Sequence, residues 1–505
     1  MRACALLLVI FLAGPACAGE QLLWFQDNRL TGAGEQLLNQ LSRADERGLE
    51  VSDYDAAALR NQTRDVSAGS VTEVARLDAE ISRVASRIVL DLHQGRVKPS
   101  DLGYDLDVKR APFDVGAIVS QLALSSDVAA ALDSVEPQWH PYARLKQALA
   151  RYRVLESRAS SVTPLPALPQ APIRPGERYE GAPQLRQLLS ILGDLPEPES
   201  ATPDSEVLDP PLVDALIRFQ ARHGLEADGV LGRATFRALA TPLSVRVRQI
   251  ELSLERIRWL PMPLAAPQII VNIPQFQLFA FHTLEEPARD ILQMKVVVGD
   301  AFAAKRTPVF AAELRYVVLH PYWDVPRSIL TKELLPQIRT RSGWLDAHDF
   351  EIVQGSGDDA KVLAPTADNI DRLAAGSLRL RQKPGPLNSL GRVKFMMPNE
   401  HDVYLHDTSA PGLFSRSRRA YSHGCIRVSD PMALLDYVMR DDETWSVERR
   451  DQALALDKPT RIALRQRIPV LILYGTALAT EAGPVLFFED IYAQDQLLLA
   501  KLTSR

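Results

Sequence analysis

The sequence predicts a multidomain α+β protein with a helical N-terminal region, a small three-helix module, and a mainly β C-terminal domain carrying a helical, lid-like insertion. Three observations carry this reading. Residues 77–92 and 142–155 repeat apolar side chains at helical spacing, a proline-rich stretch follows, and from about Pro267 the pattern changes to short β-branched and aromatic runs bounded by Pro or Gly.

At 505 residues the chain has room for about three domains of ordinary size. Its net charge of -5 and the lack of a basic stripe argue against nucleic acid as a partner. A balance of 46% hydrophobic and 24% charged residues is that of a soluble globular protein.

The first element, residues 1–18, reads as a secretory signal peptide. Arg2 supplies the charge, Ala5 to Leu12 a short apolar core, and Ala16-Cys17-Ala18 a small-residue cleavage site. The mature chain is therefore expected in the periplasm. Cys17 leaves a lipid-modified N-terminus open, although Gly14-Pro15-Ala16 is a poor lipobox, and an uncleaved anchor is the other alternative. No later segment reaches the ~18 apolar residues of a membrane helix. Ile468 to Tyr474 has the length of one buried strand.

Residues 19–162 form the expected helical region, with one core stripe at Leu77, Ile81, Val84, Ile88 and Leu92 and another at Tyr142, Leu145, Leu149, Tyr152 and Leu155. Residues 163–183 carry Pro164, Pro166, Pro169, Pro172, Pro175 and Pro183 and read as an extended, semi-rigid linker. A weaker break lies at Pro196 to Pro211.

Residues 184–241 read as a compact helical unit. Leu185 to Asp194 supplies a first helix, and Leu212, Leu216 and Phe219 mark one face of a second that ends at His223-Gly224. Asp228-Gly229 makes a turn, and Thr235, Phe236 and Leu239 belong to a third helix. His223 is expected to close its helix rather than bind a metal. The run from Ala215 to Thr235, with its Phe-Gln pair, Asp-Gly turn and Gly-x-x-Thr step, resembles the peptidoglycan-binding domain family.

After a connector at 242–266 comes a domain at 267–441, with strands expected at Gln268–Ile273, Gln277–Phe281, Met294–Gly299 and Tyr316–Leu319. A polar, helix-leaning insertion at about 334–386 interrupts it, and residues 442–505 are a C-terminal segment that completes the scaffold/catalytic region.

Removal of residues 1–18 takes away Cys4 and Cys17, so of three cysteines one is left, Cys425. A lone thiol in an oxidising compartment is either a packing residue or kept for its reactivity. Its neighbours Ser422, His423, Gly424 and Arg427 are polar and cationic, whereas inert buried cysteines sit among aliphatic residues. A thiol is only a few per cent ionised at neutral pH, so a cysteine nucleophile wants an adjacent base or cation. His401, His406 and His423 are the candidate bases. In Asp402-Val403-Tyr404-Leu405-His406 alternation puts Tyr404 and His406 on one face, able to line a cleft. The loop from Pro411 to Arg419 has the Pro, Gly and Ser needed to bring the chain back beside His406.

Beyond the cysteine, Asp430 is an N-cap and Pro431 a first helical residue, with Leu434, Leu435 and Val438 as the buried face. The Gly424 and Cys425 N–H groups are a candidate oxyanion site. Arg427 can attract a substrate carboxylate or serve as a solvated or ion-pairing residue. Cys425, His423 and His406 or His401 also suit zinc chemically, but no paired CxxC or HxxxH spacing supports it.

His406, then 15 residues (407–421), then Ser422-His423-Gly424-Cys425 resembles the signature of the L,D-transpeptidase catalytic domain. The resemblance extends to Pro321–Pro326, Gly385–Phe395 and Val403–Thr408, which are similar to the large Gram-negative members that have a scaffold domain and a peptidoglycan-binding module.

The resemblance implies Cys425 as nucleophile and His406 as its base, with Asp407 helping to orient His406. Ser422, His423 and Gly424 would shape the turn and oxyanion site, and Tyr404 and Arg427 would bind substrate. Many members have asparagine where Arg427 stands, which puts only that position's role in question. The implied reaction is 3→3 cross-linking of peptidoglycan: the thiolate attacks a tetrapeptide stem, D-alanine leaves, and a diaminopimelate amine relieves the thioester. No metal or other cofactor is implied. Stem peptides and glycan are the implied partners, with carbapenem-type inhibitors and a cell-wall synthase or carboxypeptidase besides. A hydrolytic L,D-carboxypeptidase or cysteine amidase and a non-catalytic peptidoglycan-binding protein stay open as alternatives.

Overall fold

The computed structural model of the protein describes residues 22–65, 70–106, 111–159, 163–196, 205–261, 263–283, 290–357, 359–456 and 458–504. The signal peptide expected at 1–18, with Cys17, and part of the break at Pro196 to Pro211 lie outside them. The chain divides into two compact units, Met1–His93 with Pro112–Glu136, and Gln94–Ala111 with Pro137–Arg505.

The first unit is helical, as its periodicity predicts. A short hairpin, β1 (Phe25–Gln26) and β2 (Arg29–Leu30), precedes α1 (Gly32–Leu41), α2 (Ala56–Asp65), α3 (Val71–Gln94), α4 (Val115–Ala123) and α5 (Val128–Val135). Thr31, Asp114 and Asp127 cap α1, α4 and α5 by accepting from backbone N–H groups three residues on, which satisfies donors a helix start leaves open. The stripe from Leu77 to Leu92 is buried against Leu37, Leu38 and Leu132. Trp24 is pinned to α3 by its N–H to Asp78 Oδ1 at 2.7 Å and its indole N–H to Ser82 Oγ at 2.9 Å.

In the second unit, α6 (His140–Ala159) packs against α10 (Leu243–Arg258). The stretch expected to be a connector is thus a helix, and a buried one. It escaped the periodicity argument because Arg246, Gln249, Glu255, Arg256 and Arg258 sit inside, each with a partner. Arg258, fully buried, donates to Tyr142 Oη at 3.0 Å and Glu255 at 3.3 Å, and Arg256 pairs with Asp495 at 2.5 Å. A buried charge is tolerated only when paired and hydrogen-bonded in this way.

The small module has the expected helices, α7 (Ala182–Leu192), α8 (Pro210–Arg222) and α9 (Arg233–Leu239). Its signature residues prove to be one hydrogen-bonded knot. Buried Gln220 donates to Asp228 Oδ1 (2.9 Å), Val230 O (3.0 Å) and Thr235 Oγ1 (3.1 Å), and accepts from Gly229 N–H (2.8 Å). His223 ends α8, with Nδ1–H bonded to Phe219 O at 2.7 Å and the ring stacked on Phe219; burial keeps it neutral. The proline-rich segment is not a free spacer along its whole length. Ile173 pairs with Leu231, Arg178 with Val207, and Ile173 and Tyr179 are buried in the module.

The C-terminal part centres on a nine-stranded sheet. Its strands are β3 (Gln268–Asn272), β4 (Gln277–Phe281), β5 (Leu292–Gly299), β6 (Phe310–Leu319), β11 (Val393–Met396), β12 (Leu405–His406), β13 (Ala420–Ser422), β14 (Ile426–Val428) and β15 (Thr460–Leu473), in the order β13-β5-β14-β12-β11-β6-β15-β3-β4. β15 belongs to the segment after residue 441 and lies between β6 and β3. A hairpin of β16 (Ala477–Ala479) and β17 (Val485–Phe487) and the helices α15 (Pro431–Met439), α16 (Val447–Ala455) and α17 (Gln494–Thr503) complete it. Asp430 caps α15 with Pro431 at its first turn, as expected.

The insertion holds the expected helices α11 (Arg327–Ile329), α12 (Leu335–Thr340), α13 (Trp344–Ala347) and α14 (Ala367–Ala375). It also holds a four-stranded sheet of β7 (Trp323–Asp324), β8 (Phe350–Gln354), β9 (Lys361–Leu363) and β10 (Arg379–Gln382), so it is mixed rather than helical and begins near Trp323. It has its own core, including Leu330, Phe350, Ile352, Leu373 and Leu380. Asn388 closes the neck by donating to Pro321 O (3.0 Å) and Lys383 O (2.9 Å).

Candidate active site

The site is built by strand alternation. β12 runs parallel to β14 with Leu405 opposite Ile426 and His406 opposite Arg427, and antiparallel to β11 with Lys394 opposite His406. Phe395, Leu405, Ile426 and Val428 are fully buried on the core face. Period-two alternation then turns Lys394, Tyr404, His406, Cys425 and Arg427 to the other face, where all but Lys394 line the floor of one cleft. That cleft, about 470 Å³, is walled by Arg306, Trp323, Ile329, His401 and His423 among others.

Cys425 ends a tight turn. Gly424 has φ of +123°, a conformation that favours glycine, and its N–H donates to Ser422 Oγ at 3.1 Å. The Ser422 hydroxyl donates onward to Cys425 O at 2.5 Å, and Thr307 Oγ1 donates to Gly424 O at 2.8 Å. Tyr492 braces this network, accepting from Thr307 N–H at 3.2 Å and donating to Gly299 O at 2.6 Å. Thr307 and Tyr492 gave no sign in the sequence, because neither adjoins the cysteine along the chain.

The sulfur is partly exposed and donates to Asp402 O at 3.7 Å. Burial pushes the thiol pKa up, while hydrogen bonds from the Tyr404 backbone and hydroxyl and the charge of Lys394 pull the other way. His406 is buried and neutral: burial, then the nearby Arg427 cation, bring it down to about 3. Its Nδ1–H donates to the Asp407 backbone carbonyl at 2.5 Å, so the free lone pair is on Nε2. At rest a neutral thiol and a neutral imidazole line the floor of the same cleft.

Asp407 therefore orients His406 by its carbonyl rather than its carboxylate. The carboxylate accepts from Arg392 N–H (2.8 Å) and Thr408 N–H (2.7 Å), close against Gly391, where a Cβ would lie 2.3 Å from Asp407 Cγ. The expected oxyanion pair is altered too, since Ser422 already takes the Gly424 N–H. Arg427 contacts Thr408 Oγ1 at 3.4 Å, keeps a buried Nε without a partner, and makes no ion pair among the described residues. Tyr404 lines the cleft as expected but also touches the sulfur. Of the other histidines, His401 pairs with Asp105 at 3.5 Å and His423 Nε2–H donates to Glu333 at 2.6 Å. No cluster of three or more His, Cys, Asp or Glu is arranged to hold a metal among the described residues.

Residues 266–452 match the family model described as "L,D-transpeptidase catalytic domain". That stretch is an L,D-transpeptidase catalytic domain. Residues 16–149 match a family model described as "Scaffold domain" and residues 178–239 one described as "Putative peptidoglycan binding domain". A relative from Haemophilus influenzae, named "Putative L,D-transpeptidase", is 33% identical over 235 residues, 46% of each protein. The matched part thus spans about half the length of that curated relative. A solved L,D-transpeptidase structure from Xylanimonas cellulosilytica, aligned over 61% of this chain and 100% of that one, shares 15% identity at a TM-score of 0.19, too low to bear on the argument. In this domain the sheet presents Cys425 and His406 on one cleft floor. No helix among the described residues is long and apolar enough to cross a membrane.

Proposed function

We propose that the protein is a periplasmic L,D-transpeptidase that forms 3→3 peptidoglycan cross-links through a Cys425 thioester. The observation that carries this is the shared face of Cys425, His406 and Arg427 on paired strands at the floor of one cleft.

His406 Nε2 takes the thiol proton as sulfur attacks the carbonyl carbon of the third residue of a tetrapeptide stem. The developing oxyanion is met by Cys425 N–H, the member of the expected pair not committed to Ser422. The C–N bond then breaks, the proton passes from Nε2 to the leaving amine, and D-alanine departs. A diaminopimelate amine on a second stem attacks the thioester in the same way and regenerates the thiol.

Arg427, with its unpartnered Nε, suits a stem carboxylate. Trp323, Pro326 and Ile329 of the insertion line the cleft mouth and would limit access of water to the thioester. The module at 178–239 would hold the enzyme on its polymer.

Incubation of the purified protein with disaccharide-tetrapeptides, followed by mass spectrometry, tests the proposal. A cross-linked dimer supports it. Tripeptide with free D-alanine alone would make the protein an L,D-carboxypeptidase, and unchanged substrate a binding protein.

A further inference from the structure

A cysteine nucleophile is commonly activated by an imidazolium next to it. That charge is missing here, because burial and then the Arg427 and Lys394 cations disfavour an imidazolium and outweigh the Asp407 carbonyl that accepts from Nδ1–H. Another positive charge stands on the same face. Lys394, directly opposite His406 in the β11–β12 register, places Nζ 3.9 Å from the centroid of the Tyr404 ring. Tyr404 in turn adjoins the sulfur: its carbonyl accepts from Ile426 N–H at 3.1 Å, it lines the cleft with Cys425, and its hydroxyl is near enough for each group to shift the other's titration.

Resting on Cys425 as nucleophile, we propose that Tyr404 and Lys394 hold its thiolate: Tyr404 donates to the sulfur, and the Lys394 ammonium supplies the charge that neutral His406 lacks. Tyr404 touches the reacting atom. Lys394 acts through it and is a positioning residue.

Charged and titratable groups surround the sulfur on several elements. Among the described residues they are Lys394 on β11, Asp402 and Tyr404 on the approach to β12, His406 on β12 and Arg427 on β14, with Asp324 of the insertion facing Lys394 and Arg306, His401 and His423 on the cleft walls. Arg427 bears on His406, where it disfavours an imidazolium. The phenol is held far above its ordinary range by burial and by the sulfur, so it stays a donor when the thiol ionises. Burial lowers the Lys394 pKa below its ordinary value, and the charges of Cys425, Asp324 and Asp402 oppose that in part, favouring the ammonium. During acylation Lys394 keeps its proton, the S–H bond breaks toward His406 Nε2, and the S–C bond forms.

The test is the rate of iodoacetamide alkylation of Cys425 against pH in the full chain, which needs no substrate. Lys394→Met is expected to raise the thiol midpoint by about one pH unit and slow alkylation about tenfold at neutral pH. Lys394→Arg should restore the midpoint, which a merely structural lysine would not explain. Tyr404→Phe keeps the ring and removes the donor, and is likewise expected to raise the midpoint. An unchanged midpoint in either Lys394→Met or Tyr404→Phe overturns the proposal, and the second variant decides it if the first does not fold. Product analysis with tetrapeptides is separate: absence of cross-linked dimer with a shifted midpoint removes the transferase reading and leaves this one standing.

Discussion

Glu333 of the insertion accepts a 2.6 Å hydrogen bond from His423 Nε2–H, two residues before Cys425, and pairs with Lys305 Nζ at 3.0 Å. One carboxylate thus ties the insertion to both rims of the cleft.

Glu333→Gln is expected to loosen that tie and raise the ratio of hydrolysis to cross-linking with tetrapeptide substrate, measured by chromatography of the products. An unchanged ratio removes the shielding role. Burial alone would raise the Glu333 pKa, but His423 and Lys305 outweigh it and hold it below the ordinary carboxylate range. A depressed folded pKa means that the tie is fully formed above the unfolded value and lost as pH falls through the folded one. Acidification below the ordinary carboxylate pKa should therefore weaken closure in the native protein. The pair is half exposed, so its share of global stability is about 0.5 kcal/mol.

Cys425→Ala is expected to abolish cross-linking and to prevent a carbapenem mass adduct, while leaving the melting temperature close to native. His406→Ala should slow acylation by about 10²- to 10⁴-fold, the usual scale for a lost general base. Cross-linking retained by Cys425→Ala would remove the thioester mechanism.

Asp407→Asn separates carbonyl from carboxylate. Because the main-chain oxygen holds His406 Nδ1–H, the variant should keep kcat within about tenfold of native and lose about 1 kcal/mol of stability from weakened acceptance of the Arg392 and Thr408 N–H groups. Loss of kcat on the scale of His406→Ala would show that the carboxylate orients the base.

Arg258→Ala probes the buried helix α10. Removing one member of a fully buried pair leaves Glu255, itself bonded to Arg96 and Val97 N–H groups, without its cation. The expected cost is about 3–5 kcal/mol. Thermal unfolding would reveal it, and a melting temperature unchanged from native would contradict the packing described for α10.

Much of the fold was legible because its signals were local. The stripe from Leu77 to Leu92, the Asp430-Pro431 helix start and the strands at Gln268 to Phe281 follow from side-chain period and capping, which need no tertiary partner. Helix α10 was not legible, since a run with Arg246, Glu255, Arg256 and Arg258 looks like a solvated segment until Tyr142 and Asp495 are folded against it. The strands inside the insertion were missed for a similar reason: Arg379 and Arg381 of β10 pair with Asp324 and Glu351 on neighbouring strands, so the strand looks polar in sequence.

The sequence by itself determined the chemistry's address: one thiol in Ser422-His423-Gly424-Cys425, and a histidine at a spacing that lets two strands lie side by side. Tertiary structure alone decided how that thiol is surrounded. It turned Asp407's carbonyl rather than its carboxylate toward His406, committed Gly424 N–H to Ser422, and brought Lys394, Thr307 and Tyr492 to the site from other strands and loops. The physical reason is that chain order fixes which residues alternate along a strand, whereas charge, burial and hydrogen-bond partners at a site come from whichever strands the sheet places next to it.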